Sequence, residues 1–178
     1  MPLFLQLDLA TLPAGAPGRA EVGAELVQLF GCTDCGAPLS EDGSAVARLL
    51  PARPRAMAAM SFETCLLPPR SIEGWQAGSQ RPGSWEWDEA RGLLSDDDAD
   101  DEDFVVRNNK DVDMLGGWPS WVQYPDYPPC PVCQQPMRLL LQIASNQGLD
   151  FMFSDVGTAY LLYCSHHSDQ LHFSWQST

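Results

Sequence analysis

The sequence has few basic residues and no long hydrophobic run. Its 178 residues hold 10 lysines and arginines against 24 aspartates and glutamates, a formal net charge of −14. A field of this sign repels phosphate backbones and anionic bilayers, which argues against a nucleic-acid-binding protein and a basic membrane anchor. The sequence contains no run of about 18 apolar residues, so it predicts no transmembrane helix. The N-terminus lacks a cationic stretch and carries Asp8 within its apolar residues, so it does not resemble a signal peptide, and we expect a cytoplasmic protein.

Sequence signatures of common catalytic sites are also missing. The chain has no G-x-x-x-x-G-K-[ST] phosphate loop, no G-x-S-x-G nucleophile elbow, no H-E-x-x-H, and no G-x-G-x-x-G after an apolar strand pattern. Cys65 belongs to no paired motif and lies far along the sequence from the three histidines. We therefore predict that the protein is not an enzyme. The alternative is an enzyme that uses Cys65 or an open metal position.

Prolines and glycines, 15 and 14 of them, make long helices improbable. Stretches rich in leucine, aromatic and β-branched residues instead predict antiparallel strands. Weak helical patterns occur only at 20–29 and 86–94. The predicted fold class is α+β and β-rich, with few short helices. The predicted strands are 3–8, 25–31, 45–50, 119–123, 137–143, 151–154, 158–164 and 170–175.

The two ends of the chain share an order of motifs. In each, an apolar strand with an internal glutamine precedes a second strand and a cysteine-containing turn. This predicts a single domain, 1–178, built from internally duplicated antiparallel sheets, with repeat one at about 1–50 and repeat two at about 113–178. In such a domain, Gln6 and Gln142 are candidate polar groups for a ligand cleft between the two halves. The matched positions are Gln6 and Gln142, Cys32 and Cys164, and Cys35 and His167.

Cysteine spacing predicts a zinc site with a ribbon-like knuckle. In a chain expected to be cytoplasmic, cysteines are more often metal ligands or buried thiols than disulfides. A C-x2-C turn and a later C-x2-H turn supply four ligands for a tetrahedral Zn²⁺. Because four protein ligands leave no open position, the ion would be structural. The four predicted ligands are Cys130, Cys133, Cys164 and His167.

Two alternatives remain open at this point. His166 could replace His167, although two residues between ligands is the better-known spacing. Cys32 and Cys35 lack an obvious partner pair, unless Cys65 and one further group supply it. Otherwise they form either a second, incomplete metal site or a pair of unliganded thiols.

Residues 66–112 form an insertion between the repeats, and they contain tryptophans and a dense acidic cluster. The cluster is either part of a solvated loop or an anionic arm that docks on a basic partner. Trp85 and Trp87, in an otherwise polar stretch, would then anchor the interface. The acidic residues are Asp96, Asp97, Asp98, Asp100, Asp101, Glu102 and Asp103.

Residues 113–123, with the sequence DMLGGWPSWVQ, resemble the lGGyPxWiQ signature of the YwqG-like proteins, a bacterial domain family of unknown function. The resemblance implies an antiparallel, internally duplicated β-rich fold with peripheral helices, and it brings no established activity. Such domains also occur beside polymorphic toxin genes, which suggests that some are immunity proteins. The similarity continues through Cys130-x2-Cys133, 139–142, 155–160 and Cys164-x2-His167, and it includes 3–8 and 26–32.

Taken together, these features predict a zinc-stabilised, non-catalytic binding protein. Its predicted role is that of an immunity protein that neutralises a cognate, nuclease-type bacterial toxin by occluding it. The acidic cluster, Trp85 and Trp87 are the predicted contact residues. The alternative is a housekeeping module that binds a small molecule or a peptide.

Overall fold

The computed structural model describes residues 3–22, 26–32, 43–50, 70–78, 112–145 and 147–178. In these ranges the chain forms two antiparallel sheets and one short 3-10 helix (Leu9–Thr11). Sheet A has the order β1-β2-β3, and sheet B has the order β4-β5-β6-β7. No helix in these ranges has the length and hydropathy that crossing a membrane requires. The strands are β1 (Leu3–Asp8), β2 (Leu26–Gly31), β3 (Ala45–Leu50), β4 (Met114–Leu115), β5 (Arg138–Ala144), β6 (Thr158–Tyr163) and β7 (Leu171–Gln176).

The β-rich, antiparallel architecture confirms the coarse prediction, and six predicted strands occur within about one residue of their predicted bounds. The weak helical pattern at 20–29 is wrong, because strand β2 occupies its second half. The pattern at 86–94 lies outside the described residues. Strand β4 was not predicted.

Two predicted strands, 151–154 and 119–123, are wrong. The backbone of the first turns, and the backbone amides of the second donate hydrogen bonds to side chains and not to a neighbouring strand. In 151–154, Ser154 has a φ of 53° and Val156 soon afterwards has a φ of 49°, in the left-handed region. The Gly157 N–H donates to the Phe153 carbonyl over 2.9 Å and closes this turn. Residues 119–123 begin with a proline, which has no N–H for a strand ladder, and their later amides donate to side chains instead.

The units β1-β2-β3 and β5-β6-β7 pair their strands in the same register. Gln6 lies opposite Gln28 in the first unit, just as Gln142 lies opposite Tyr160 in the second. Both first strand pairs also contain a register shift at the same place, at Leu3/Leu5 and at Leu139/Leu141. The two units therefore present equivalent rows of side chains.

The same correspondence continues beyond the second strand of each unit. The Cys32 N–H donates to the Ser44 carbonyl over 2.8 Å, and the Cys164 N–H donates to the Gln170 carbonyl over 3.1 Å. Cys32 and Cys164 consequently occupy equivalent positions, as the sequence comparison of the two ends predicts.

Both sheets contribute one face to a shared core. Alternation along each strand directs every second side chain into it, which is the pattern expected when one sheet face is buried against another. Phe4 of sheet A reaches the turn after β5, with its ring centre 4.8 Å from that of Phe151 and 5.7 Å from that of Phe153. The buried core residues from the strands are Phe4, Leu7, Val27, Leu29, Ala45, Leu140, Leu141, Ile143, Ala159, Leu161, Tyr163 and Phe173.

The opposite face of sheet B, its outer face, is covered by residues 118–124, the covering segment. Two glycines with positive φ, Gly116 (63°) and Gly117 (76°), turn the chain from β4 into this segment. A Cβ atom at Gly116 would overlap the ring of Pro17, so glycine is required there by space as well as by φ. The positive φ at both positions and the lack of space at Gly116 explain why the motif DMLGGWPSWVQ has two adjacent glycines.

The covering segment is bound through its backbone. Side chains of β5, β6 and β7 bond to successive main-chain groups, so the segment crosses the sheet from one side to the other. Burial raises the pKa of Tyr160, so its hydroxyl stays protonated and can donate as well as accept. The bonds are Ser120 N–H to Gln142 Oε1 (2.9 Å), Val122 N–H to Tyr160 Oη (3.2 Å), Tyr160 O–H to the Ser120 carbonyl (2.9 Å), Gln123 N–H to Gln176 Oε1 (3.0 Å) and Gln176 Nε2–H to the Tyr124 carbonyl (2.8 Å).

Candidate metal centre

The first two predicted ligands lie on a tight turn that begins at Cys130. The Gln134 N–H donates to the Cys130 carbonyl over 2.8 Å, and the Cys130 N–H donates to the Gln135 carbonyl over 2.9 Å. Gln134 has a φ of 61°, which reverses the chain between these two bonds. The turn directs the sulfurs of Cys130 and Cys133 to the same side, where they meet the end of β6.

The other two predicted ligands lie on the turn that follows β6. The Cys164 N–H donates to the Gln170 carbonyl and the Gln170 N–H to the His167 carbonyl, each over 3.1 Å. The His166 N–H donates to the Cys164 sulfur over 3.4 Å. A backbone N–H that points at a cysteine sulfur stabilises the thiolate, which is the form that binds a metal.

Three of the separations among the four candidate atoms match those in a tetrahedral zinc site. The Cys133 and Cys164 sulfurs are 3.7 Å apart, and His167 Nδ1 lies 3.6 Å from the Cys164 sulfur and 3.8 Å from the Cys130 sulfur. Zn–S bonds of about 2.3 Å and a Zn–N bond of about 2.0–2.1 Å place two sulfurs about 3.8 Å apart, and a sulfur and a nitrogen about 3.6 Å apart. The ligand atoms all lie within 4.8 Å of one another, which makes the group a candidate site for one ion.

The cysteines of this cluster are thiols. None of Cys130, Cys133 and Cys164 is in a disulfide, and the 3.7 Å between the Cys133 and Cys164 sulfurs is far longer than an S–S bond of about 2.05 Å. Three thiols and one imidazole form a soft donor set, which suits Zn²⁺ better than Ca²⁺ or Mg²⁺.

Burial divides the ligands into two pairs. Cys130 and Cys164 are 0% and 1% exposed, whereas Cys133 and His167 are partly accessible. The buried sulfurs face an outer core between sheet B and the residues that follow the covering segment, so the cluster adjoins both solvent and packed side chains. An ion there has a route of entry and a rigid support. The members of the outer core are Trp121, Cys130, Met137, Leu139, Tyr160, Leu162 and Cys164.

The local surroundings give the thiols different acidities. Burial acts to raise the pKa of Cys130, but the backbone N–H groups of Cys133 and Val132, together with the neighbouring thiols, outweigh it and lower that pKa to about 7. For Cys133, the Gln135 backbone N–H lowers the pKa, while burial and the sulfurs of Cys164 and Cys130 raise it by more. Cys130 therefore forms a thiolate for a metal more readily than Cys133.

Aromatic side chains fix the turn against the sheet. The Trp121 ring lies 5.2 Å from the Tyr127 ring at an interplanar angle of 86°, and 4.5 Å from the Tyr160 ring. Trp121 is the second tryptophan of the GGWPSW motif, and it is 8% exposed. The motif thus links the covering segment to the candidate ligands through packing, a role that its sequence alone did not indicate.

The structure gives different results for the other residues considered as metal ligands or reactive thiols. His166 is exposed, with Nδ1 3.3 Å from the Ser165 hydroxyl, so His167 is the histidine that joins the cluster. Cys32 is disulfide-bonded, which differs from the expectation of a thiol or ligand. Cys35 and Cys65 lie outside the described residues. Because a sulfur in a disulfide cannot serve as a thiolate ligand, the predicted incomplete second metal site at Cys32 and Cys35 is wrong.

The predicted partner-binding residues, Trp85, Trp87 and the acidic cluster at 96–103, also lie outside the described residues. The predicted use of Gln142 in a cleft between the halves is wrong. Gln142 is 0% exposed, points away from the shared core and bonds to Ser120 and Val112. Gln6, its equivalent, is exposed.

Comparisons with known proteins place the chain in a family without assigning it an activity. The uncharacterized protein YpfL of Salmonella typhimurium (strain LT2) is 57% identical over 31 residues, a stretch that covers 17% of this chain and 7% of that relative. No solved structure matches the chain. The sequence profile of a domain of unknown function, DUF1963, matches residues 52–176, which is more than half of the chain. The chain therefore belongs to the DUF1963 family.

Proposed function

We propose that this protein is a zinc-stabilised, non-catalytic binding protein. The observation that carries the proposal is the spacing of the candidate ligand atoms, because three of their separations are 3.6–3.8 Å, as in a tetrahedral zinc site. With four protein ligands the ion has no position left for water or substrate, so its role is structural. Cys130 and Cys133 together form the knuckle of a ribbon-like zinc site.

The zinc ion would join two parts of the chain that are distant in sequence. One ligand pair follows the covering segment, and the other follows β6. Joining them holds the outer core closed over sheet B. The ion then contributes to folding in the same way as in other small metal-stabilised domains, because binding and folding are coupled.

We further propose that the partner is a basic protein, namely a cognate nuclease-type toxin that is neutralised by occlusion of its active site. The net charge of −14 supports this, because opposite charge accelerates association and a bound acidic protein blocks access of nucleic acid. The acidic cluster at 96–103, with Trp85 and Trp87, supplies the proposed contacts. An immunity role also agrees with the resemblance to the YwqG-like proteins.

The equivalent registers of β1-β2-β3 and β5-β6-β7 support an origin by internal duplication. In this account each repeat is one three-stranded unit, and the shared core is the interface between the two copies. Among the residues that the structure describes, the four-ligand set lies in the second copy.

The partner proposal is tested by mixing the purified protein with the purified product of the neighbouring gene. We expect a complex on size-exclusion chromatography at micromolar concentration and inhibition of the partner's nuclease activity. Replacing the seven acids of the cluster by their amides should weaken the complex at least tenfold, whereas Asp155→Asn, at an exposed turn, serves as a control. The absence of any complex would overturn the toxin proposal, while zinc content tests the structural metal separately.

A further inference from the structure

The outer face of sheet A carries a row of polar side chains that corresponds to the row holding the covering segment in sheet B. Gln6, Gln28 and Arg48 lie side by side across β1, β2 and β3, and we call them the amide–guanidinium row. Their neighbours along each strand enter the shared core, so these three side chains point away from it. Their register equivalents in sheet B are Gln142, Tyr160 and Ser174.

In sheet B two members of the corresponding row, Gln142 and Tyr160, bond to backbone groups, whereas the buried Ser174 hydroxyl has no hydrogen-bond partner among the described residues. Gln142 accepts a hydrogen bond from the Ser120 N–H and donates one to the Val112 carbonyl over 3.0 Å. Tyr160 bonds to the Ser120 carbonyl and the Val122 N–H. A row of this kind binds an extended segment whatever its side chains are, so this fold already contains one example of a peptide held on an outer sheet face.

In sheet A the row is accessible and its amides are already oriented. Gln6 and Arg48 are exposed, and the Gln28 Nε2–H donates to Gln6 Oε1 over 2.8 Å. Because an amide side chain has two N–H donors and a carbonyl acceptor, this bond leaves donors and an acceptor on the two glutamines for a further partner. The bond also fixes the two amides in register, which lowers the entropy lost when a peptide binds.

Arg48 adds a local preference for negative charge, which opposes the net charge of −14 and therefore favours a segment with a single acidic residue over a strongly acidic partner. Its guanidinium lies 5.1 Å above the centre of the Phe30 ring, which supports the group from below. In the described part of the chain no carboxylate pairs with Arg48, whereas Arg70 pairs with Asp150 elsewhere. A supported, planar guanidinium binds a carboxylate through two parallel hydrogen bonds.

We propose that the outer face of sheet A binds an extended peptide segment of a partner protein, with its main chain bonded to Gln6 and Gln28 and with an aspartate or glutamate side chain on Arg48. The inference goes beyond the proposed toxin binding, which uses the acidic cluster in a different part of the chain. Either proposal can therefore fail while the other stands.

A library of random twelve-residue linear peptides, displayed on phage and selected against the full chain, tests the proposal. We expect the enriched peptides to share an acidic residue and to lose at least tenfold in affinity, measured by fluorescence anisotropy of synthetic copies, against Arg48→Gln. Gln6→Ala should weaken the same peptides. Arg48→Lys, which keeps the charge but not the two-bond geometry, should have an intermediate effect.

Arg70→Gln is the matched control, because it removes one positive charge at an exposed ion pair away from the row. It should leave peptide affinity unchanged, and zinc content and circular dichroism establish that each variant is folded. The proposal is overturned if no peptide is enriched, if enriched peptides bind Arg48→Gln as tightly as the parent protein, or if Arg70→Gln weakens them equally. It is also overturned if Arg48→Gln lowers the melting temperature and no peptide binds, since the face is then covered by the chain itself.

Discussion

Replacing His167 by alanine should remove zinc from the protein, whereas replacing the adjacent His166 should not. The His167 Nδ1 atom lies 3.6 Å from the Cys164 sulfur and 3.8 Å from the Cys130 sulfur. The His166 ring is instead exposed, and its Nδ1 atom lies 3.3 Å from the Ser165 hydroxyl. The two variants differ by one position in the same turn, which makes them a matched pair.

The expected loss of stability follows from the linkage between binding and folding. An ion that binds only the folded state stabilises it by about 2.7 kcal/mol when free zinc is 100 times its dissociation constant. In a chain of 150–250 residues, 1 kcal/mol moves the melting temperature by about 2–4 °C. We therefore expect His167→Ala to melt about 5–11 °C below the parent protein in a zinc-buffered solution, and His166→Ala to melt with the parent.

The assay is differential scanning calorimetry, paired with elemental analysis of the dialysed protein. We expect one zinc per chain in the parent and in His166→Ala, and far less in His167→Ala. Chelation of the parent should reproduce the His167→Ala melting temperature. The reasoning is refuted if His167→Ala retains stoichiometric zinc, or if chelator leaves the melting temperature of the parent unchanged.

Three further substitutions test the fold that supports the site, each by urea unfolding. Tyr160→Phe leaves the Val122 N–H and the Ser120 carbonyl without their partner and should cost about 1–3 kcal/mol, whereas an unchanged stability would show that these bonds contribute nothing. Gly116→Ala should cost more than Gly15→Ala, because both have positive φ but only a Cβ at Gly116 meets another residue; equal costs would argue against the close approach to Pro17. Leu161→Ala removes a side chain that is 1% exposed and should cost about 2–5 kcal/mol, and a value below 1 kcal/mol would contradict its place in the shared core.

Much of sheets A and B could be predicted from the sequence because their strands alternate in a regular way. Leu171, Phe173 and Trp175 alternate with His172 and Ser174, and the structure places the apolar three against the shared core. The cluster of candidate metal ligands was predictable for a similar reason. A short turn such as C-x2-C places both of its ligands side by side. A complete site therefore requires only that two such turns meet in the fold.

The covering segment could not be predicted because its structure depends on distant side chains. Residues 119–123 have strand-like composition, but the amides of Ser120 and Val122 find their acceptors on β5 and β6. A pattern of apolar residues cannot distinguish such a segment from a strand, since both are extended. The role of Gln142 was misjudged for the same reason, because its partners lie 22 and 30 positions away in the chain.

The central claim is that one zinc ion is held by three sulfurs and one nitrogen of this chain. X-ray absorption spectroscopy at the zinc edge of the purified, zinc-loaded protein measures that shell directly. The account predicts three Zn–S distances of about 2.3 Å and one Zn–N distance of about 2.0–2.1 Å. A shell dominated by oxygen or nitrogen, or a protein that takes up no zinc while Cys130, Cys133 and Cys164 are reduced, would contradict it.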